Sequence, residues 1–344
     1  MRERLVDSAY ALGWSALKHL PEPAARALFR QLADVAWRRR GRSVQRLEAN
    51  LRRVRPQAGE AEIRALSRAG MRSYLRYWME SFRLPVWDAD RIARTFTVEG
   101  HERITRTLAE GRGAVLALPH MGNWDLAGAW VVSHLGHRFT TVAERLKPES
   151  LFDRFVAYRE GLGMEVLPLT GGSVSTIGTL AKRLRAGGLV CLVGDRDLSA
   201  GGIAVDFLGE TARVPAGPAA LAVQTGAALL PVTLWYEGPV MKGTVHPEIA
   251  VPEQGSRREK SAAMTQALAD VWADGVRSHP EDWHMLQRFW LADLPAAARV
   301  PAPASGDSAP GPAASGPAAS GSAVSGSAAS GPAVSGPDGE GAAR

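Results

Sequence analysis

The stretch "GAVLALPHMGNWDLAG", Gly113–Gly128, changes character in its middle. Its first six residues are continuously apolar. Pro119, His120, Gly122 and Asn123 then break the run, and an apolar helical pattern opens at Trp124. A short apolar run without polar alternation, feeding a helix through a turn, reads as a strand buried on both faces. The same pattern recurs in "FTTVA" (139–143), "MEVLPL" (164–169), "GLVCLVGD" (188–195) and "ALLPVTLWY" (228–236). Helical patterns lie between them, near Ser150–Glu160, near Val174–Arg185 and after Pro215. Strands alternating with helices predict an α/β fold with a mostly parallel central sheet flanked by helices. "IAVDF" (203–207) adds a strand and "KGTVHPEIAV" (242–251) an expected edge strand. A last helix spans roughly Ser256–His279, and "EDWHMLQRFW" (281–290) closes the fold.

Upstream, residues 1–85 read as helices. Leu5, Tyr10, Leu12, Trp14, Leu17 and Leu20 lie near helical spacing, and Pro21 and Pro23 break the run. A second helix ends in Trp37 and the cluster Arg38, Arg39, Arg40 and Arg42. A long third helix, near Glu60–Leu84, contains "SYLRYWMESFRLP" and stops at Pro85. Downstream, residues 296–344 are Ala, Gly, Ser and Pro with almost no charge and no aromatic residue. Such a tail buries too little surface to offset chain entropy and is expected to be disordered. The reading is three segments: helices over 1–85 packed on an α/β domain over 86–295, then the tail over 296–344.

Hydrophobic residues make up 45% of the 344 and charged residues 22%, ordinary for a folded chain. The net charge is +6, and only 5 of the 41 basic residues are lysine. An arginine excess suits an anionic partner such as nucleic acid, anionic lipid or a phosphorylated substrate. The single cysteine, Cys191, excludes an intramolecular disulfide and a cysteine zinc site, and is expected in a buried strand. No run of about 18 apolar residues implies a membrane span. The N-terminus is interrupted by Asp7, Ser8 and Lys18 and lacks a small-residue cleavage site, so it reads as an amphipathic helix rather than a leader.

Loops at the carboxyl ends of parallel strands are where such sheets place their sites. His120 sits in one, five positions before Asp125. Asp125 in the first helical turn can fold back onto one ring nitrogen and fix the tautomer, leaving the other nitrogen to take a proton from a hydroxyl. The alternative is a plain helix cap by Asn123 or Asp125. Asp195, Arg196 and Asp197 end another strand, as a site or as a surface ion pair. Arg213 precedes a Pro-Gly turn and either aims at a phosphate or carboxylate or is solvated. Glu144 and Arg159 either pair at the site mouth or lie on a solvated helix face. No G-x-S-x-G elbow, phosphate-binding loop, dinucleotide fingerprint or H-E-x-x-H occurs, so the nucleophile is expected on the substrate and no metal is expected.

"PHMGNWDLAG", "AERLKPESLFDRFVAYREGLG", "GDRDLSAGGIAVDFLGETARVPAGPAALA" and "LLPVTLWY", in this order, resemble the lipid acyltransferases with an H-x4-D motif. The branch is that of the lipid A lauroyl/myristoyl acyltransferases. "SYLRYWMESFRLP" and "EDWHMLQRFWLADL" are similar to its phosphatidylinositol mannoside acyltransferase subgroup. The resemblance covers residues 1–295. It implies a fatty acyl chain, palmitoyl in this subgroup, moved from acyl-CoA to a mannose hydroxyl. Acyl-CoA is then a co-substrate, and no cofactor is needed. By the resemblance His120 is the base, Asp125 its orienter and Asp195 the acidic residue facing it. Glu144, Arg159, Arg196 and Arg213 contact or order substrate. The implied setting is the cytoplasmic face of the cell membrane, with the N-terminal helices on an anionic lipid surface and no nucleic acid. Alternatives are another glycolipid or a lysophospholipid as acceptor, or, more remotely, a membrane-binding protein without catalysis.

Overall fold

The computed structural model describes residues 17–144, 149–169, 175–197 and 201–295. Expectations for Trp14 and its neighbours, and for the tail from 296 onward, lie outside these residues. In chain order the elements are α1 (Glu22–Arg39), α2 (Arg42–Val54), α3 (Glu60–Arg83), α4 (Ala89–Thr95), β1 (Phe96–Glu99), α5 (Glu102–Ala109), β2 (Ala114–Leu118), α6 (Trp124–Ser133), β3 (Phe139–Ala143), α7 (Glu149–Gly161) and β4 (Glu165–Pro168). Then follow α8 (Thr176–Arg185), β5 (Leu189–Val193), β6 (Ile203–Phe207), β7 (Glu210–Val214), α9 (Gly217–Thr225), β8 (Ala228–Glu237), β9 (Val240–Val245) and α10 (Arg257–Ser278).

Seven strands form one sheet in the order β1-β9-β8-β2-β5-β3-β4, and β6 and β7 form a separate antiparallel hairpin. All neighbours in the large sheet run parallel except β8 and β9. The expected edge strand is therefore internal: β9 lies between β8 and β1. The four-residue β1, whose sequence gives little strand signal, covers its outer side.

The apolar run in β2 has the predicted cause. All five of its residues are buried. Leu116 and Leu118 join the hydrophobic cluster under α1, α3, α6 and α7, while Val115 and Ala117 join the cluster under α8, α9 and α10. Alternate side chains thus serve two cores, which excludes polar alternation.

Local chemistry sets the helix ends. Ser256 and Glu259 form a reciprocal capping box at the start of α10, and Gly226 takes φ 75° at the end of α9. The expected second helix is α1, and a further helix that the sequence reading did not place follows it. Arg40 turns into the left-handed region at φ 48°, and α2 starts after Gly41. Its Val44, Leu47, Leu51 and Val54 are buried at helical spacing.

The α1 helix is bound to α3 by polar contacts as well as by its core. Arg68 and Arg72 each reach both oxygens of Asp34. Trp37 donates its indole N–H to Ser67 Oγ at 3.0 Å, with the Arg64 guanidinium 4.0 Å above its ring. Among the described residues no helix is long and apolar enough to cross a membrane.

Candidate active site

The strand register places His120. In the β2–β5 pair Leu118 lies opposite Val193, so His120 and Asp195 each stand two residues beyond matched strand ends. They meet there. Asp195 Oδ2 accepts the His120 backbone N–H at 3.0 Å, and Asp195 Oδ1 pairs with His120 Nδ1. The carboxylate on the ring is thus Asp195, not Asp125 as the five-residue spacing suggested. Trp283, fully buried, donates its indole N–H to Asp195 Oδ2 at 3.0 Å. Burial alone would raise the Asp195 pKa. The imidazole beside it and the N–H donors outweigh burial and hold it below the usual carboxylate range.

The loop carrying His120 is tightly constrained. Gly122 sits at φ 56°, and a Cβ there would stand 2.9 Å from Leu234 Cβ, so only glycine fits. The segment 282–285 clamps the loop from the other side. His284 N–H donates to His120 C=O at 2.8 Å, and Gly122 N–H to Asp282 C=O at 3.1 Å. Asn123 caps α6 by accepting the Leu126 N–H at 3.0 Å, and its amide donates to buried Glu80 at 3.1 Å. Glu80 also accepts from Arg76 at 2.7 Å and Tyr236 at 2.9 Å. The capping reading of Asn123 therefore holds.

Asp125 is 2% exposed and turns away from His120, because the first turn of α6 faces α3 and α7. Its carboxylate accepts from Tyr77 OH at 3.0 Å and from Arg159 Nε at 2.8 Å. Burial works against the Arg159 charge, yet Asp125 beside it holds the guanidinium pKa above its ordinary value. Burial and the Asp125 charge together push the Tyr77 phenol well up, so it stays a donor. Arg159 therefore pairs with Asp125 and not with Glu144. Glu144, at the end of β3, faces Arg196 at 3.7 Å. Partial burial raises its pKa despite Arg196 and His120 nearby. Arg213 lies elsewhere: it is buried in β7, with its Nε 3.9 Å from Asp197 Oδ2, and does not line the cavity described next. Its carboxylate partner belongs to the protein itself.

These groups open on a cavity of about 1350 Å³. His120, Asp125, Glu144, Arg159 and Arg196 line it, among apolar side chains such as Leu116, Trp78, Phe139 and Phe155. Cys191, expected to be buried, is only half-buried in β5 and also lines it. At His120 the Nδ1 side is taken by Asp195, and Nε2 has no hydrogen-bond partner among the described residues. The ring is packed edge-on to Trp124, with centroids 5.3 Å apart. A neutral imidazole so held presents one basic nitrogen beside a long apolar cavity, an arrangement suited to deprotonating a hydroxyl. The described residues include one His-Glu-Asp group, His279, Glu281 and Asp282, within metal-ligating distance of one another. Asp282 already accepts from Ser73 and Tyr236, and His120 is not a member of the group.

Sequence reasoning missed Tyr77, Glu80, Trp283 and the cluster Ser73, Asp282 and His284. All sit in "SYLRYWMESFRLP" or "EDWHMLQRFW", where polar residues interrupt strongly apolar runs. That interruption was the available signal.

Comparison with known proteins adds the chemistry. Residues 1–292 match the family described as bacterial lipid A biosynthesis acyltransferase. A phosphatidylinositol mannoside acyltransferase of Mycolicibacterium smegmatis (strain ATCC 700084 / mc(2)155) is 48% identical over 293 residues, 85% of this chain and 93% of that protein. One of Mycobacterium tuberculosis (strain ATCC 25618 / H37Rv) is 48% identical over 296 residues, 86% of this chain and 91% of that protein. A match over residues 1–292 of 344 settles the grouping: the chain belongs to the bacterial lipid A biosynthesis acyltransferase family and is an acyltransferase.

Proposed function

We propose that this enzyme moves a fatty acyl chain, palmitoyl by preference, from acyl-CoA to a mannose hydroxyl of a phosphatidylinositol mannoside. The observation that carries the reading is His120, paired with buried Asp195 behind it, at the wall of a large, mainly apolar cavity. The names of relatives that are 48% identical supply the acceptor class. His120 Nε2 takes the proton of the acceptor hydroxyl while Asp195 steadies the imidazolium. The oxygen attacks the thioester carbonyl, and a tetrahedral oxyanion forms. The C–S bond then breaks, and the imidazolium returns its proton to the thiolate, giving an ester and free coenzyme A. Acyl-CoA is spent as a co-substrate, and neither metal nor cofactor takes part.

Arg159, held by Asp125, and Arg196, facing Glu144, supply positive charge to the oxyanion or to an anionic headgroup. Arg213 keeps a supporting role, bracing the loop after β5 through Asp197. We place the enzyme peripherally on the cytoplasmic face of the cell membrane, docked through residues 1–85. The outer face of α1 supports this: Leu28 and Val35 are 42% and 40% exposed, ahead of exposed Arg38, Arg39 and Arg42. Each basic residue near an anionic surface adds about 1 kcal/mol. Trp37 takes no part, since its indole is committed to Ser67.

Mass spectrometry of lipid products tests the reading, using labelled palmitoyl-CoA and a panel of phosphatidylinositol mannosides, a lipid A precursor and lysophospholipids. Label on a mannoside, abolished by His120→Ala in a folded protein, is the expected result. Label on another acceptor alone would reassign the substrate. Full activity in His120→Ala would overturn the base.

A further inference from the structure

Beside the base lies a second buried imidazole that the mechanism above does not use. His284 is 7% exposed, is among the residues lining the same cavity as His120, and its backbone N–H holds the His120 carbonyl. Its Nε2 lies 2.9 Å from Ser73 Oγ, and Ser73 Oγ lies 2.5 Å from Asp282 Oδ1. Asp282 Oδ2 also accepts the Tyr236 backbone N–H at 2.8 Å. The other ring nitrogen, Nδ1, is buried and has no partner among the described residues.

The chain of donors fixes which nitrogen of His284 carries hydrogen. Burial pushes the Asp282 carboxyl up to about 6, so at neutral pH it is ionised and only accepts. The single Ser73 hydroxyl hydrogen is therefore spent on Asp282. Ser73 Oγ then accepts from His284, which puts the imidazole hydrogen on Nε2. Burial, with His120 adding to it, lowers the His284 pKa to about 3, so the ring is neutral. A neutral ring with its hydrogen on Nε2 has its lone pair on Nδ1. A buried acceptor left without a donor is unfavourable, and a ligand donor would recover that cost.

We infer that His284 is a substrate-contacting residue whose Nδ1 accepts a hydrogen bond from an N–H or O–H group of the bound substrate. The inference rests on the acyl-transfer reading. Two groups carry the required donor: an amide N–H of the pantetheine arm of acyl-CoA, and a hydroxyl of the sugar acceptor. Ser73 and Asp282 are positioning residues that act through the His284 tautomer.

Paired variants test it. His284→Gln places an amide near the Nε2 position and can keep the Ser73 bond, but offers no acceptor at the Nδ1 position. His284→Asn does the reverse. Steady-state kinetics are measured with palmitoyl-CoA and a phosphatidylinositol mannoside, and again with palmitoyl-CoA and water alone, beside the melting temperature of each variant. His284→Gln is expected to melt near wild type and raise one KM roughly 3- to 10-fold, while His284→Asn keeps that KM closer to wild type. A rise in the KM for palmitoyl-CoA in both assays assigns the contact to the donor. A rise confined to the mannoside, with hydrolysis unchanged, assigns it to the acceptor. A folded His284→Gln with wild-type KM values overturns the inference. So does equal loss in both variants that tracks lowered melting temperature, since a scaffold role predicts that. A wild-type enzyme that consumes no palmitoyl-CoA defeats the acyl-transfer reading first, before any variant is compared.

Discussion

Asp195 holds His120 at two points, accepting the backbone N–H on one oxygen and meeting ring Nδ1 with the other. The first oxygen also takes the Trp283 indole N–H. That geometry makes Asp195→Asn a sharp test. Two N–H donors force the amide oxygen into the Oδ2 position, which turns the amide NH₂ toward Nδ1. His120 Nδ1 must then accept, and its hydrogen moves to Nε2, where a base needs a lone pair. kcat is expected to fall roughly 100- to 10,000-fold, with little change in acyl-CoA binding. Transfer kinetics and acyl-CoA titration measure both, and wild-type kcat would remove Asp195 from the relay.

Trp283→Phe removes one donor from Asp195 and keeps an aromatic ring against Phe207, Phe289 and Trp290. With that donor gone, more of the Asp195 charge acts on the imidazole and favours its protonated form. The acid limb of the pH–rate profile should move to higher pH, and kcat at neutral pH should drop several-fold, about the effect of one charge-assisted hydrogen bond. A purely structural tryptophan would lower the melting temperature and leave the pH profile where it was.

Buried Asp125 and partly buried Arg159 form an ion pair at 2.8 Å, with Tyr77 donating to the same carboxylate. An orienter of His120 would lose rate on mutation and keep stability. The observed pairing predicts otherwise. Asp125→Ala leaves a partly buried guanidinium without its counter-charge and should lower stability by roughly 1–3 kcal/mol as well as activity. The double variant Asp125→Ala/Arg159→Met should regain much of that stability without regaining activity, because the cationic group is then missing from the cavity wall. Denaturant melts and kcat values on the three proteins separate the two effects. An unchanged midpoint in Asp125→Ala would restore the orienter role.

The sheet was readable because burial on both faces leaves runs such as that of β2 without polar alternation, and strand-end loops then point to His120 and Asp195. Their partnership was not readable from spacing. It follows from β2 lying beside β5, a non-sequential neighbour, while Asp125 is the carboxylate near in sequence. The same bias toward chain neighbours paired Glu144 with Arg159. In the fold, each finds its counter-charge across a different strand or helix. Helix α2 went unseen because arginine dominates its sequence, although Val44, Leu47, Leu51 and Val54 keep the apolar spacing. Trp283 and His284 lay in a segment that was read only as closing the fold. Only the tertiary path of residues 282–285 along the His120 loop gives them polar partners.

Asp282 should leave a signature in the pH dependence of stability. Its carboxyl is pushed up to about 6 in the folded protein by burial, against about 3.9 for an unfolded aspartate. Between those values the folded state binds the extra proton, so the Asp282 contribution is most favourable at low pH and declines as pH rises through this window. The full decline amounts to about 2–3 kcal/mol. Carboxylates such as Asp34 and Glu165, held low by arginine hydrogen bonds, impose the opposite slope on the whole protein. The readout is therefore the difference between wild type and Asp282→Asn, in which those shared slopes cancel. Asparagine can still accept from Tyr236 and meet Ser73, so the fold is expected to persist. Measured by chemical denaturation from pH 4 to 7, wild type should lose stability relative to Asp282→Asn as pH rises, with most of the change complete near pH 6. A difference that stays constant across the range would show that Asp282 titrates as an ordinary exposed carboxylate; it would then be still more fully ionised at neutral pH, so the Ser73–His284 hydrogen-bond order would stand while the burial argument for its raised pKa would fall.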